Sequence, residues 1–365
     1  MKRYLVMSFI LIPFLSACEQ QPAKEQKHPV TISITHPEYK QDTGMVSKLQ
    51  TMRNNKNPDK PLYENYYDIP LVDIHNHDAS SFSEETYKKY GVDRTVLFGN
   101  ISEPSAKKTD QQVWTAYQGS VENIYPSFAG IDIYRSSGID YSKKLLEKGY
   151  LNIGEIVAAS TYSPVTSKLK WKGENPLSGK LDELYTLAAD YQVPILLHID
   201  PPTGNPIPIL EEALNKHPDT IFIFAHANVF NKPGNLKRLL NEHSNLYMDF
   251  YAGFTRYDLN SKNEIEDFIP VMEEFSDRFF LGSDSGYGIT YEESIGAMYQ
   301  TIDLLSDESA VKVAYQNYEK VIEDQRVTKE QKKQLRGLLK EEEHKSLSLN
   351  KRMANELIMK LSKEE

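Results

Sequence analysis

Val193–Asp200 reads VPILLHID, and Ile221–Asn228 reads IFIFAHAN. Each is a short apolar run closed by a histidine, His198 in the first and His226 in the second. Runs this apolar suit strands covered on both faces, as in a parallel sheet. Six more β-rich runs share the chain: Leu71–Ile74, Thr95–Phe98, Ile124–Ala129, Leu151–Ile156, Leu246–Tyr251 and Arg278–Gly282. Helical stretches lie between most of them. Leu181–Tyr191 has Leu181, Leu184, Leu187 and Ala188 at helical spacing; Ile209–Lys216, Leu236–Glu242, Ile265–Phe275 and Tyr291–Leu305 are further candidates. Strand and helix repeated eight times over roughly 250 residues predict an α/β protein of the (β/α)8 TIM-barrel type. An open, doubly wound sheet lacks support, because no Gly-rich phosphate loop follows the first run.

The chain has 365 residues, with 42 Lys and Arg against 52 Asp and Glu, a formal charge of -10. That balance argues against a nucleic-acid partner, which requires a basic face. A single cysteine, Cys18, allows neither an intramolecular disulfide nor a Cys-rich zinc site. Any metal must be held by His and carboxylate.

Lys2 and Arg3 precede a mostly apolar run, Tyr4–Ala17, too short to span a membrane but suited to a signal-peptide core. It ends in Leu15-Ser16-Ala17-Cys18, which looks like a bacterial lipobox, with cleavage before Cys18 and lipid, such as palmitate, on its sulfur. The plainer reading is a secretory signal with an incidental cysteine. The lipobox reading places the mature chain in the cell envelope, held to a lipid membrane; Glu19 after the cysteine favours an outer membrane. The expected organisation is a signal peptide over 1–17, a tether and N-terminal extension over 18–66, the barrel over 67–322 and a charged helical extension over 323–365. Val30, Ile32 and Ile34 alternate as in a short strand, and Arg53–Pro58 reads as loop. Thr328-Lys329-Glu330-Gln331 fits a helix capping box, and Leu357, Ile358 and Leu361 suggest another apolar stripe. This extension either packs on the barrel or forms a homodimer contact.

The nine histidines are unevenly placed. Asp73, His75 and His77 alternate, so they point to one side of the first strand. His198 ends the fifth strand, His226 the sixth, and Asp284 the eighth (FLGSDSG). His77 and His198 are about four βα units apart, and His198 and His226 about one, so all return to one end of the barrel, where barrel enzymes carry their chemistry. Polar side chains converging at apolar strand ends need a shared partner. A cation held by imidazole and carboxylate, zinc above all, supplies it, along with a water acidified to a pKa near 7. A hydrogen-bonded polar plug is the plain alternative.

His75-Asn76-His77, His198, His226 and Asp284, in that order on strands 1, 5, 6 and 8, resemble the amidohydrolase superfamily, and the strand patterns its amidohydrolase-related branch. The resemblance covers about Pro70 to Tyr318. It implies a metal-dependent hydrolase of amides, esters or lactones, with some decarboxylases and other lyases among its members. In relatives with two metals a carboxylate bridges from the end of strand 4, the position of Glu155. His75, His77 and Asp284 would then hold one ion and His198 and His226 the other. In single-metal relatives His75, His77, His198 and Asp284 bind the ion, and His226 is free to orient water or act as acid. Asp284 would move the proton of the attacking water. Asn228 departs from the branch, where His-x-Gly is usual after strand 6. Arg135, Tyr162, Trp171 and Asp249 are candidates for contact with a small-molecule substrate, Tyr162 and Trp171 with Lys172 in a loop suited to an anionic or sugar-like one. His217 and His243 sit at helix ends, where capping is the simpler role. A non-catalytic surface binding protein on a barrel scaffold is the rival from outside enzymology.

Overall fold

The computed structural model describes residues 43–200, 204, 206–285, 288–339 and 347–363. The signal segment, Cys18, the alternation at Val30–Ile34 and the histidines His28, His36 and His344 lie outside the described residues. Eight parallel strands close into a barrel in simple sequential order, β1-β2-β3-β4-β5-β6-β7-β8. They are β1 Val72–Asn76, β2 Arg94–Leu97, β3 Ile124–Phe128, β4 Asn152–Ala159, β5 Ile195–Ile199, β6 Phe222–Phe224, β7 Leu246–Phe250 and β8 Phe279–Leu281. The two-sided burial expected of the apolar runs is present: every residue of β1, β3, β4 and β5 is buried. One continuous hydrophobic core joins the barrel interior to the ring of helices. No described helix is long and apolar enough to cross a membrane.

Two strands depart from regular pairing. Against β2, the pairing of β1 runs from Asp73↔Thr95 to Asn76↔Leu97, three steps against two. Against β5, β4 runs from Ile153↔Ile195 to Ile156↔Leu197, again one residue in excess. Each is a β-bulge, which breaks strict alternation and re-aims side chains. The bulge of β4 contains Gly154 at φ 115, a conformation suited to glycine, and directly precedes Glu155.

The amino-terminal ends of the strands are sealed. A helical segment, Lys312–Gln316 continuing as Asn317–Glu323, lies beneath them. The Asn317 side-chain amide donates to the carbonyls of Ser276 (2.7 Å) and Phe279 (2.9 Å). The fully buried Tyr318 packs edge-on against Phe280, 5.2 Å between rings, and donates to Asn152. Glu319 accepts from Tyr125 at 2.7 Å and pairs with Arg94. This closure leaves the carboxyl-terminal ends of the strands as the open end.

The flanking segments are more ordered than their polarity suggests. Thr43–Asn54 is a helix whose Met45 and Leu49 are buried in the main core. Its Arg53 donates to the carbonyls of Ile302 and Leu305 at the end of helix Tyr291–Leu304 and pairs with Asp307 at 2.6 Å. The loop expected from Arg53 therefore starts only after Asn54. At the other end the Thr328 capping box forms in both directions, and helix Lys329–Leu338 packs with Lys351–Leu361 through Leu335, Ala354 and Leu357. Lys351 is wholly buried and donates to the Tyr150 carbonyl, tying this pair to the barrel below β4. That contact fits the packed-appendage reading of the extension.

Candidate metal centre

Five side chains at or just past the ends of β1, β5, β6 and β8 converge at the open end with Glu155. Glu155 lies midway along β4, because that strand runs on to Ala159 rather than ending near Glu155 as expected. The six form two groups: His75, His77 and Asp284, and Glu155, His198 and His226. In the first, His75 Nε2, His77 Nε2 and Asp284 Oδ1 are 3.3, 3.5 and 3.5 Å apart. In the second, His198 Nδ1, His226 Nε2 and Glu155 Oε1 are 3.0 to 3.2 Å apart. Glu155 faces both: its Oε2 lies 3.8 Å from His75 Nε2 and 3.7 Å from His77 Nε2.

The far side of each ring decides what these atoms offer one another. His75 Nδ1 is 2.7 Å from Asp249 Oδ2, His77 Nδ1 is 3.0 Å from the Gly99 carbonyl, and His198 Nε2 is 2.7 Å from Asp200 Oδ2. Carbonyl and carboxylate oxygens only accept, so each of these nitrogens carries the hydrogen and fixes the tautomer. The inward nitrogens of the neutral rings then present lone pairs to one another and to carboxylate oxygens. Such an arrangement is repulsive without a positive charge between the atoms. A proton can bridge one gap, whereas a divalent ion satisfies three or four acceptors at once. A tetrahedral ion with bonds of about 2.0–2.1 Å sets its ligand atoms about 3.3 Å apart, close to the spacings of both groups. The residues fit a divalent cation in each group.

A proton can stand in for an ion in these gaps, and the electrostatics favour either positive charge over bare lone pairs. Burial disfavours a charged His75, but the carboxylates of Asp284, Asp249 and Glu155 overcome this and push its pKa up to about 10. His198, also buried, is pushed up to about 9 by Asp200 and Glu155. Burial alone would raise the Glu155 pKa; hydrogen bonds from His198 and His226 hold it well below the usual carboxylate range. Asp284 is lowered against burial, mainly by His75. The cluster thus binds positive charge strongly.

The backbone is bent to deliver these groups. His226 (φ 36) and Asp284 (φ 44) lie in the left-handed region, which costs a non-glycine residue of order 1 kcal/mol or more and clusters at functional sites. His226 N donates to Asp249 Oδ2 at 2.8 Å, so one carboxylate oxygen serves both His75 and the His226 turn. Gly282 leaves the room: a Cβ there would come within 2.2 Å of Asp249 Oδ1 and 2.6 Å of the His75 Cβ. Asn228, at the point of departure from the branch pattern, is fully used. Its amide donates to the Tyr251 carbonyl (2.8 Å) and to Thr255 Oγ1 (2.7 Å), and its oxygen accepts from Tyr251 N (2.8 Å).

A cavity of about 430 Å³ opens onto both groups, with Ile101, Val165, Leu169, Val229, Phe230 and Phe254 among its walls. The residues expected at the substrate are placed differently from one another. Asp249 is fully buried behind His75 and lines no part of the cavity. Its role as a substrate contact is therefore corrected to one of holding His75. Trp171 is buried beneath Lys107, 5.4 Å from its ring, and Arg135 points to solvent beside Asp132, so neither reaches the cavity. Lys172 is paired with Glu174. Tyr162 does not line the cavity either; it is 73% exposed, with its ring edge-on to the lining residue Phe230. Asp73 is not with the ligands; both its oxygens bind Ser283. Asp200 was legible, since it stands two residues after His198 on the same strand face, but its use was not. It holds His198 and also accepts from Ser160 and from the backbone N–H groups of Thr161 and Tyr162. His217 pairs with Asp182 at a helix end, and His243 closes helix Pro233–Glu242.

No protein-family model and no curated protein matches the chain. Solved structures do. A TIM-barrel protein of uncharacterised function from Bordetella bronchiseptica aligns over 69% of this chain and 98% of its own, with 14% identity and a TM-score of 0.51. An apo structure from Agrobacterium tumefaciens aligns over 69% and 95%, with 16% identity and a TM-score of 0.50. A putative amidohydrolase from Staphylococcus aureus aligns over 69% and 99%, with 14% identity and a TM-score of 0.49. At these identities the likeness is one of fold, the (β/α)8 barrel.

Asp249→Asn and Asp200→Asn should each weaken zinc affinity by roughly 10- to 100-fold while leaving the far-ultraviolet spectrum unchanged, because each loosens a ring facing the cluster. Competition against a chromophoric chelator measures this; wild-type affinity in both variants would contradict the orienting role.

Proposed function

We propose that this chain is a metal-dependent hydrolase that uses water to cleave an amide, ester or lactone. One observation carries the reading: the two oxygens of a single buried carboxylate, Glu155, each face a different pair of histidine nitrogens. His75, His77 and Asp284 would hold one divalent cation, and His198 and His226 the other, with Glu155 shared. Zinc is the first choice, since every ligand is imidazole or carboxylate. Bound there, the ions would supply Lewis acidity, polarising a carbonyl and acidifying water.

The chain's own residues do the rest. Asp284 lines the cavity and is held ionised, so it is placed to accept a proton from the attacking water and return it to the leaving alcohol or amine. Asp249 and Asp200 keep the rings in register. The apolar wall over the cluster excludes water around the reacting carbonyl. A lyase reading relies on a His226 left free to act alone; here His226 Nε2 faces Glu155 and His198 at 3.0 Å, which favours hydrolysis. The proposal also puts the mature chain in the cell envelope, lipid-anchored through Cys18, with Leu15-Ser16-Ala17-Cys18 as its support. Cys18→Ser should abolish lipid labelling in cells; retained labelling would refute the anchor.

Elemental analysis after saturation with zinc should give about two ions per chain, falling toward one in Glu155→Gln. A wild type that never exceeds one ion would dismiss the bridge. Asp284→Asn should retain metal yet lose at least about 100-fold in rate, the usual worth of a general base. Equal rates at matched metal content would dismiss Asp284 as the proton carrier.

A further inference from the structure

The cavity over the cluster has an unusual charge inventory. Among the described residues no Lys or Arg lines it, although Asp78 and Glu103 do, besides the cluster's own Glu155 and Asp284. Of the internal positions not described, those adjoining strand ends, 201–203, 205, 286 and 287, are Pro, Pro, Thr, Asn, Gly and Tyr and add no base. Lys340 and Lys345 fall in 340–346, between helices Lys329–Leu338 and Lys351–Leu361 of the extension. Asp78 accepts from the Tyr87 hydroxyl at 2.9 Å and Glu103 from Ser105. Neither has an ion-pair partner among the described residues.

Two divalent cations would leave no positive excess to draw in an anion. Four carboxylates, Glu155, Asp284, Asp249 and Asp200, bind or back the cluster. Their four negative charges match the four positive charges of the ions. Asp78 and Glu103 then make the chamber negative, and its low-dielectric walls strengthen that field.

The walls point to the other half of the ligand. Val165 lines the cavity yet is 60% exposed, and Tyr162, edge-on to the lining Phe230, is 73% exposed. Leu169, Phe230 and Phe254 continue the apolar surface inward. A pocket of this size with an apolar wall beside a group of convergent polar side chains is a usual form of a small-molecule site.

We infer that the site takes an uncharged ester, lactone or amide whose apolar group lies against Val165, Leu169, Phe230 and Phe254, and that it rejects substrates carrying a carboxylate. This rests on the hydrolase reading. In the reaction the water oxygen bonds to the carbonyl carbon and the bond from that carbon to oxygen or nitrogen breaks. One water proton leaves with the alcohol or amine, and the acid formed is ionised at neutral pH. The inference reverses the expectation of an anionic substrate drawn from Trp171 and Lys172.

Two matched comparisons test it. Zinc-loaded protein is assayed with p-nitrophenyl butyrate and with p-nitrophenyl hemisuccinate, which adds one terminal carboxylate. Calorimetry compares hexanamide with hexanoate on chelator-treated protein. The neutral ester should be favoured by at least about 30-fold in kcat/KM, and the amide should bind at least about tenfold more tightly, as expected for burying a charge without a partner. Val165→Lys, at an exposed position that tolerates the change, should shrink both ratios by about tenfold by supplying a cation. Equal or better use of the hemisuccinate, equal or tighter binding of hexanoate, or no binding of either ligand would overturn the inference. If zinc binds but neither ester is cleaved, the hydrolase reading fails, and the amide–carboxylate comparison still decides the charge preference.

Discussion

Lone pairs that face one another govern this molecule. Asp249, Asp200 and the Gly99 carbonyl each take a hydrogen from the outer nitrogen of a histidine, and in doing so turn the inner nitrogen into an acceptor aimed at other acceptors. The unfavourable convergence is held by a rigid frame. Glu155 is carried in by a bulge, His226 and Asp284 are turned inward through left-handed backbone, and Gly282 gives up a side chain so that Asp249 can stand behind His75. Local costs of this kind persist only where the surrounding barrel overrides them. The protein gives up part of its stability to shape a place for positive charge.

Much of this was legible in the sequence because a barrel repeats its geometry. Apolar runs and their spacing located the eight strands within a residue or two at most ends, and helix Leu181–Tyr191 has the expected limits. His75, His77, His198, His226 and Asp284 were legible because they stand at or just past the ends of apolar strands, where the barrel opens; Asp249, near the end of β7, faces a neighbouring ring instead. The bulges were not legible. A one-residue excess leaves no mark in composition, and strict alternation put Asp73 with His75 and His77 although it binds Ser283 instead. Helix Thr43–Asn54 was hidden because only Met45 and Leu49 of this polar stretch are buried, with Val46 and Met52 partly so and Arg53 docking through polar contacts. Loop side chains fared worst. Trp171 and Arg135 were read as substrate contacts from residue type alone, but no periodicity fixes direction in a loop, and tertiary contacts turned one inward and the other out.

Asp200 joins two parts of the site that the sequence keeps separate. It orients His198 and also gathers the segment that starts at Ser160, where Ser163, Val165 and Thr166 form one wall of the cavity. Thr166 Oγ1 itself lies 3.2 Å from His198 Nε2. A wall pinned to a ligand-bearing ring cannot shift without disturbing the ring, so pocket shape and ligand geometry are mechanically one object here.

Among the described residues, the seal beneath the strands, built from Tyr318, Phe280 and the Glu319–Arg94 pair, leaves the barrel one open end. Whatever enters from that end departs by it, past the same Val165 and Phe230. Grip and release are therefore antagonists. Each increment of contact that lengthens the stay of an arriving molecule also delays the fragment that keeps its apolar portion. For the proposed hydrolase, turnover in such a chamber would be bounded by traffic as well as by bond breaking, and improving the fit of the wall beyond a certain point would slow it.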